Sequence, residues 1–182
     1  MTSPPSDLRY PIGKFKLSEA VTETHMQTWM KEIADFPEQL KTEVYGLSDV
    51  QLAWPYRPEG WNISQVIHHC ADSHMNCVIR FKLALTEEAP TIKPYFEGRW
   101  AQLPDMSAPV EWSLNLLEGL HLKWAYLLRQ MSAEEYERTF VHPEHGKAFT
   151  LKEALGMYAW HSNHHLAHVR QAKQYRGTFN LA

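Results

Sequence analysis

The sequence contains no long hydrophobic run, since its longest uninterrupted apolar stretch is the five residues 124–128. A helix that crosses a bilayer needs roughly 20 such residues, so no transmembrane helix is expected. The first thirty residues also lack the apolar stretch of a secretory signal, and they begin with a polar, proline-containing segment at 2–7. We therefore expect a cytoplasmic protein with no membrane partner.

Cysteine is scarce, with Cys70 and Cys77 the two in the sequence. On a shared helix their separation corresponds to about 10 Å along the axis, which is too far for a disulfide. This excludes a disulfide framework and is typical of a reducing compartment. An excess of basic residues is also missing, because 18 Lys and Arg stand against 21 Asp and Glu. Nucleic acid is therefore not expected as a partner.

The length of 182 residues and an apolar content of 44% fit one domain spanning residues 1–182. Proline and glycine divide the sequence into four long segments whose apolar residues recur every three or four positions, the period of an amphipathic helix. The first helix is expected from about Ser18 to Gly46. Because Pro37 falls inside it, this helix either kinks there or a new one starts near Asp35.

The second helix is expected to follow Asn62, whose side chain can form a capping box with Gln65, and to end near Thr86. The next twenty or so residues contain four prolines and predict a long crossover connection. A third helix then runs from Val110 to about Met131.

The last helix is expected to follow a second capping box, formed by Thr150 and Glu153, and to end near Tyr175. Residues 140–149, which precede it, are interpreted as an irregular loop or a short hairpin. Four long amphipathic helices predict an all-α fold, a four-helix bundle with the long crossover between its second and third helices.

Eleven histidines are the unusual feature of the composition. On the last helix, His161, His165 and His168 occupy the inward-facing positions where a purely structural bundle would carry leucine or valine. Residues three or four apart on a helix have Cβ atoms about 5 to 6 Å apart, so His161 and His165 can direct two rings at one point. Burying such rings without a partner would cost about 1 to 3 kcal/mol for each, and a metal removes that penalty. The sequence has no His-Glu-x-x-His motif, which disfavours a metalloprotease.

A third ligand has to come from another helix, and the second helix offers His68, His69 and His74. His74 lies among the apolar positions of that helix, whereas His69 belongs to a neighbouring polar stripe and His68 points elsewhere. Spacing alone leaves the choice between His69 and His74 open. A single histidine at such an apolar position, such as His74 or His121, is more often a hydrogen-bonded core residue than a ligand.

Two segments carry a resemblance to a known family: residues 60–72, GWNISQVIHHCAD, and residues 161–165, HSNHH. They resemble the DinB superfamily of four-helix-bundle metal proteins. Shorter matches extend over nearly the whole chain and resemble its YfiT-like branch, whose members are described as metal-dependent hydrolases and as bacillithiol transferases. These shorter matches lie at residues 10–13, 72–76, 79–82, 85–88 and 93–95.

The resemblance implies one divalent metal ion per chain, zinc or nickel, held by His69, His161 and His165. It also implies a homodimer in the cytoplasm. One departure from the family pattern is Cys70, which stands where an aliphatic residue would be expected after the histidine pair.

Three nitrogen ligands and an open coordination position are typical of a catalytic zinc-type site. Such an ion lowers the pKa of bound water toward roughly 7, which supports a metal-dependent hydrolase acting on a small-molecule substrate. A low-molecular-weight thiol bound in the same position would instead make the protein a thiol S-transferase. A third alternative is a non-catalytic stress protein that only binds the metal.

Two polar residues on the same stripe as His69 are candidates for substrate binding. Arg80, three turns beyond His69 on this stripe, could bind a carboxylate of the substrate or of a thiol cofactor, with Asn76 between the two as a hydrogen-bond partner. The alternative for Arg80 is a solvent-exposed position at the end of the bundle. Tyr158 is expected to fill the core, and no role is assigned to Tyr95 or Glu97 in the crossover. The histidines at 142 and 145 are expected to be solvated in a loop.

Overall fold

The computed structural model describes residues 7–17, 20–144 and 146–179. Four long helices dominate it: α1 (Glu23–Val44), α3 (Ile63–Thr86), α5 (Val110–Gln130) and α7 (Leu151–Tyr175). The connections contain the short helices α2 (Asp49–Leu52), α4 (Glu97–Trp100) and α6 (Ala133–Tyr136) and a single 3-10 turn, Pro104–Ser107. Strands β1 (Thr139–His142) and β2 (Lys147–Thr150) pair antiparallel as a short hairpin before α7.

Helices α1 and α7 are neighbours that run in the same direction. Near the start of both helices, Trp29 packs against Gly156. Near the end of both, the carboxylate of Glu43 accepts a hydrogen bond from Lys173. Neighbouring helices joined by short loops run antiparallel, so this parallel pair requires a different chain path.

Helices α3 and α5 form the second parallel pair, because His68 lies against Ser113 and His74 lies against His121 in the same order. The two pairs pack against each other through contacts of α1 with α5 and of α3 with α7. Helix α1 therefore lies diagonal to α3, and α5 lies diagonal to α7. A parallel neighbour cannot be reached by a tight turn, which is why residues 87–109 form a long crossover. The predicted all-α bundle and its crossover are confirmed.

The two capping boxes predicted from sequence are confirmed. The side chain of Asn62 accepts a hydrogen bond from the amide of Gln65 at 2.8 Å, and that of Thr150 accepts one from the amide of Glu153 at 3.0 Å. Both helices that carry the histidines therefore start where the local sequence indicates. The short helices in the connections were not predicted, since four residues are too few to show a helical period.

The first helix differs from its prediction at two points. It begins at Glu23, after the capping residue Thr22, and the expected start at Ser18 lies outside the described residues. It also continues through Pro37, which is buried within it, so a new helix near Asp35 is wrong. A neighbouring bundle helix packs on each side of α1, and this packing outweighs the hydrogen bond that a proline removes.

The interior of the bundle contains two apolar clusters separated by polar residues. One cluster includes Phe81, Trp124 and Leu155, and the other includes Leu40 and Ile67. On α7 the two clusters are separated by residues 160–165, and on α3 by residues 72–76. The stretch of α7 that contains His161, His164 and His165 and the stretch of α3 that contains His74 therefore lie between the two clusters.

The two cysteines are free and belong to these apolar clusters. Burial raises the pKa of the Cys70 thiol, so Cys70 is packed as a small apolar side chain. Within the described residues, no helix combines the length and the apolar character that crossing a membrane requires.

Candidate metal centre

The antiparallel packing of α3 against α7 brings three histidines together. His161 and His165 are one turn apart on α7, and His69 faces them from α3. One ring nitrogen from each lies within 4.8 Å of the others. The Nε2 atoms of His69 and His161 are 3.3 Å apart. These are the three residues that the family resemblance implies, and they alone form such a group of potential ligands in the described parts of the chain.

The donor set fits a divalent ion. Two nitrogens bound to a tetrahedral zinc at about 2.0 to 2.1 Å are separated by about 3.3 to 3.4 Å. The distance of 3.3 Å between the Nε2 atoms of His69 and His161 agrees with that geometry. The rings stand at steep angles to one another, with centroids of His161 and His165 at 4.4 Å and of His69 and His165 at 4.8 Å. These three residues could therefore hold a metal through one nitrogen each.

Burial keeps the three rings neutral, which is the form that binds a metal. Loss of hydration, together with the smaller effect of the charge that nearby His164 can carry, lowers the pKa of His69 to about 4. The same loss of hydration, followed by the proximity of the other histidines, holds the pKa values of His161 and His165 well below 6.5. At neutral pH each ring therefore has one nitrogen with a free lone pair.

Behind His161 lies a second layer of histidines. Nδ1 of His161 is 3.1 Å from Nε2 of His74, and Nδ1 of His74 is 2.7 Å from Nε2 of His121. Nδ1 of His121 is in turn 2.6 Å from the backbone oxygen of Ile33 on α1. His74 and His121 are fully buried, in agreement with their interpretation as hydrogen-bonded core residues.

His165 has a similar partner. Nδ1 of His168 is 3.3 Å from Nδ1 of His165, and Nε2 of His168 is 3.2 Å from the backbone oxygen of Arg9. The ring of His168 also stacks on Tyr56, with centroids 3.8 Å apart. His68, by contrast, turns away to α5, as predicted, and its ring nitrogens contact Ser113 and the backbone of Ala108.

Two cavities meet at this centre. The smaller, of about 400 Å³, is lined by all three histidines together with aromatic and basic side chains from the N-terminal segment and from the loop before α3. The larger, of about 680 Å³, lies beside His161 under the crossover and the hairpin. His161 and Glu97 line both cavities, whereas His69 and His165 line only the smaller one.

The larger cavity contains a buried arginine. Arg80 is 8% exposed and lines this cavity together with Ser73 and Tyr95. It makes no ion pair within the described part of the chain. Asn76 is placed differently: its amide donates to the backbone oxygen of Asp72 at 2.9 Å, and it does not line either cavity. Of the two candidate substrate residues, the structure brings only Arg80 to a cavity beside the histidines.

Several lining residues were missed from the sequence. Tyr95 and Glu97 of the crossover line the larger cavity, and burial raises the pKa of Tyr95 to about 12. Tyr158 is buried as expected, and it lines this cavity as well.

The expectation that His142 is solvated in a loop is wrong, because it lies in β1, is partly buried and lines the larger cavity. His145 lies outside the described residues. In the sequence, only the aromatic content of the crossover could have indicated that its residues line the larger cavity.

Comparison with known proteins agrees with this architecture. A family model described as the DinB superfamily matches residues 33–169. A relative from Bacillus cereus (strain 03BB102), named "putative metal-dependent hydrolase", is 50% identical over 169 residues, which cover 93% of this chain and 97% of the relative. A relative from Bacillus thuringiensis subsp. konkukian (strain 97-27) has a name that begins with the same words and shows the same identity and coverage.

A solved structure is also similar over nearly the whole chain. YfiT from Bacillus subtilis, described as "a probable metal-dependent hydrolase with an unusual four-helix bundle topology", matches with a TM-score of 0.91 and 44% sequence identity. The match covers 94% of this chain and 99% of YfiT. Since the family model spans well over half of the chain and the relatives are half identical over almost their full length, the chain belongs to the DinB superfamily.

Proposed function

We propose that this protein is a metal-dependent hydrolase of a small molecule, with one divalent ion, zinc or nickel, held by His69, His161 and His165. The observation that carries the proposal is the convergence of three neutral imidazoles that all line one cavity, with His161 also lining a second. The names of the relatives from Bacillus support the same reaction class. A homodimer and a cytoplasmic location stay predictions from the family resemblance.

Three protein ligands leave a coordination position open to water or substrate, as in catalytic zinc sites. An ion held by these residues would lower the pKa of a water molecule toward about 7 and would polarise a carbonyl group of the substrate. Because the three ligands are neutral, they do not offset the charge of the ion. Aromatic rings line the smaller cavity around the ligands and offer an apolar surface to the substrate. These rings belong to Tyr10, Tyr56, Trp61 and Trp160.

Hydrolysis also needs a group that takes a proton from the attacking water. We assign this role to Glu97, an exposed residue that lines both cavities, as His161 does. It begins the short helix α4 in the crossover, so the crossover contributes directly to the site. General bases of this kind typically accelerate a reaction by about 10² to 10⁴-fold.

We assign the binding of an acidic group on the substrate to Arg80. A buried guanidinium without an anionic partner is unfavourable, and a carboxylate of the substrate would supply that partner through two parallel hydrogen bonds. Arg80 is 11 residues from His69 on α3, which corresponds to about 16 Å along the helix axis, and its long side chain shortens that span. The proposed substrate is therefore an elongated small molecule with a carboxylate at one end.

The experiment that tests this function is a substrate screen on protein stripped with a chelator and then reloaded with zinc or nickel. We expect esters or amides that carry a distant carboxylate to be cleaved by the reloaded protein, with no requirement for a thiol. His161→Ala and His165→Ala should lose both the metal and the activity, whereas His68→Gln, a change at a buried histidine outside the group, should keep both.

Two outcomes would contradict the proposal. Turnover that requires a low-molecular-weight thiol and yields a thioether would identify an S-transferase. Stoichiometric metal binding without turnover of any ester, amide or thiol acceptor would identify a protein that only binds the metal.

A further inference from the structure

The two proposed ligands on α7 are each hydrogen-bonded to another histidine, and each series ends at a backbone carbonyl. We name the first series, His161, His74, His121 and the carbonyl of Ile33, the His161 network. We name the second, His165, His168 and the carbonyl of Arg9, the His165 network. Neither network contains a carboxylate.

The terminal carbonyl decides where every proton of the His161 network lies. A carbonyl oxygen can only accept, so Nδ1 of His121 carries the hydrogen that it donates to Ile33. A neutral ring has one N–H, so Nε2 of His121 accepts from Nδ1–H of His74. By the same rule, Nε2 of His74 accepts from Nδ1–H of His161. Nε2 of His161 is therefore left with a free lone pair, and it is the atom that faces His69.

The His165 network reaches the same result through a shorter path. Nε2–H of His168 donates to the carbonyl of Arg9, so Nδ1 of His168 is an acceptor. It accepts from Nδ1–H of His165, which leaves Nε2 of His165 with a free lone pair. The two ligands on α7 are thus set to the same tautomer by two independent anchors, one on α1 and one on the N-terminal segment.

Burial supports this assignment, because each network works only while its rings carry a single proton. His74, His121 and His168 are 0%, 1% and 2% exposed, so their rings are shielded from water. At the anchor of the His161 network, loss of hydration lowers the pKa of His121 to about 4, against the opposing effect of its hydrogen bond to Ile33. His121 is therefore neutral at physiological pH and has a single N–H to donate.

We propose that His74, His121 and His168 are positioning residues that fix His161 and His165 as Nδ1–H tautomers, so that Nε2 of each is prepared to bind the metal before the ion arrives. The inference rests on the proposed function for the identity of the ligands. Metal-binding histidines usually donate their other N–H to a carboxylate, a carbonyl or water, and this contact orients the ring. Here the orientation comes from neutral imidazoles, so the positive charge of the ion is not reduced by an anion in either network.

The first test needs no substitution and no metal. In protein labelled with ¹⁵N-histidine, the two-bond couplings between ring nitrogens and carbon-bound protons identify the protonated nitrogen of each ring. We expect Nδ1–H for His161, His165, His74 and His121, and Nε2–H for His168. An Nε2–H tautomer at His161 or His165 in the metal-free protein would overturn the proposal.

The second test measures the zinc dissociation constant by competition with a chromophoric chelator. His74→Leu removes the acceptor for His161, and His168→Leu removes the acceptor for His165. Each should weaken zinc binding by about 10 to 100-fold, the usual effect of losing such a partner. His74→Gln should restore most of the affinity, because its amide oxygen accepts from His161 and its amide N–H donates to His121.

His68→Leu is the matched control. His68 is also buried, at 5% exposed, and its ring nitrogens contact Ser113 on α5 and the backbone of Ala108, yet it belongs to neither network. Its loss should leave zinc affinity within about twofold. Wild-type affinity in His74→Leu, or an equal loss in His68→Leu, would refute the positioning role. A wild-type protein that binds zinc and hydrolyses nothing would instead refute the proposed function and leave the tautomer assignment standing.

Discussion

Arg80 on α3 and His161 on α7 face the same cavity from two antiparallel helices. One is a buried cation without an ion-pair partner in the described regions, and the other is a proposed ligand of the metal. The proposed binding site for an acidic group and the proposed metal ligand therefore line one cavity. Under the proposed function, the packing of α3 against α7 would set the length and charge of the substrate.

The first prediction concerns Arg80. Arg80→Gln should raise KM for a carboxylate-bearing substrate by about 10 to 100-fold, because a charge-assisted hydrogen bond contributes roughly 1.5 to 3 kcal/mol. A neutral methyl-ester analogue of the same substrate should show little change. Steady-state kinetics on both substrates, with metal content measured in parallel, separates the loss of charge from a loss of metal.

Asn76→Ala provides the comparison for Arg80→Gln. Asn76 lies on the same helix one turn away, but its amide is bonded to its own helix and lines neither cavity. We expect unchanged kinetics in this variant. Equal effects of the two substitutions would contradict the assignment of Arg80.

The second prediction concerns Glu97. Glu97→Gln keeps the shape of the side chain but removes the proton acceptor, so kcat should fall by about 10² to 10⁴-fold. KM and metal content should change little, because Glu97 is not one of the proposed ligands. Glu59→Gln is the matched variant, since Glu59 lines the smaller cavity but not the larger one. A larger loss of kcat in Glu59→Gln than in Glu97→Gln would contradict the assignment and identify Glu59 as the proton acceptor.

The long helices could be predicted because their signals are local. The capping boxes of Asn62 and Thr150 and the helical period of the apolar residues depend on neighbours within a few positions. The crossover was predicted as a long connection, but its contribution of Tyr95 and Glu97 to the cavity was not. An irregular segment has no repeating pattern of apolar residues, so its sequence does not indicate which of its side chains face the bundle.

The choice between His69 and His74 shows the limit of spacing arguments. The two lie five residues apart on α3, and both face the interior. Which of them meets His165 depends on how α7 packs against α3, a tertiary relationship that a single helix does not encode. The structure places His69 beside His161 and His165, and His74 behind His161. The family resemblance identified His69 because it carries that tertiary information.

A third prediction concerns the contact between α1 and α7. A Cβ atom at Gly156 would lie 2.9 to 3.1 Å from the indole ring of Trp29, so Gly156→Ala forces one of the helices to move. Overpacking of this kind destabilises by about 1 to 3 kcal/mol.

At Gly119 on α5, by contrast, an added Cβ meets nothing within 4 Å. Gly119→Ala should stabilise by up to about 1 kcal/mol through helix propensity. Urea unfolding of both variants measures these changes, and a stabilised Gly156→Ala would contradict the close contact.

The last prediction concerns the acid stability of the metal-free protein. Burial lowers the pKa of His121 from 6.5 in the unfolded chain to about 4 in the folded one. Between these two values the unfolded state binds more protons, so the free energy of unfolding should fall as pH falls from about 6.5 to 4. His121 alone accounts for roughly 3 kcal/mol of that loss. His121→Leu should therefore flatten the pH dependence of stability over this range, as measured by urea unfolding in the presence of a chelator at pH 7 and pH 4.5. Equal pH dependence in the wild type and the variant would show that His121 is not buried as a neutral ring.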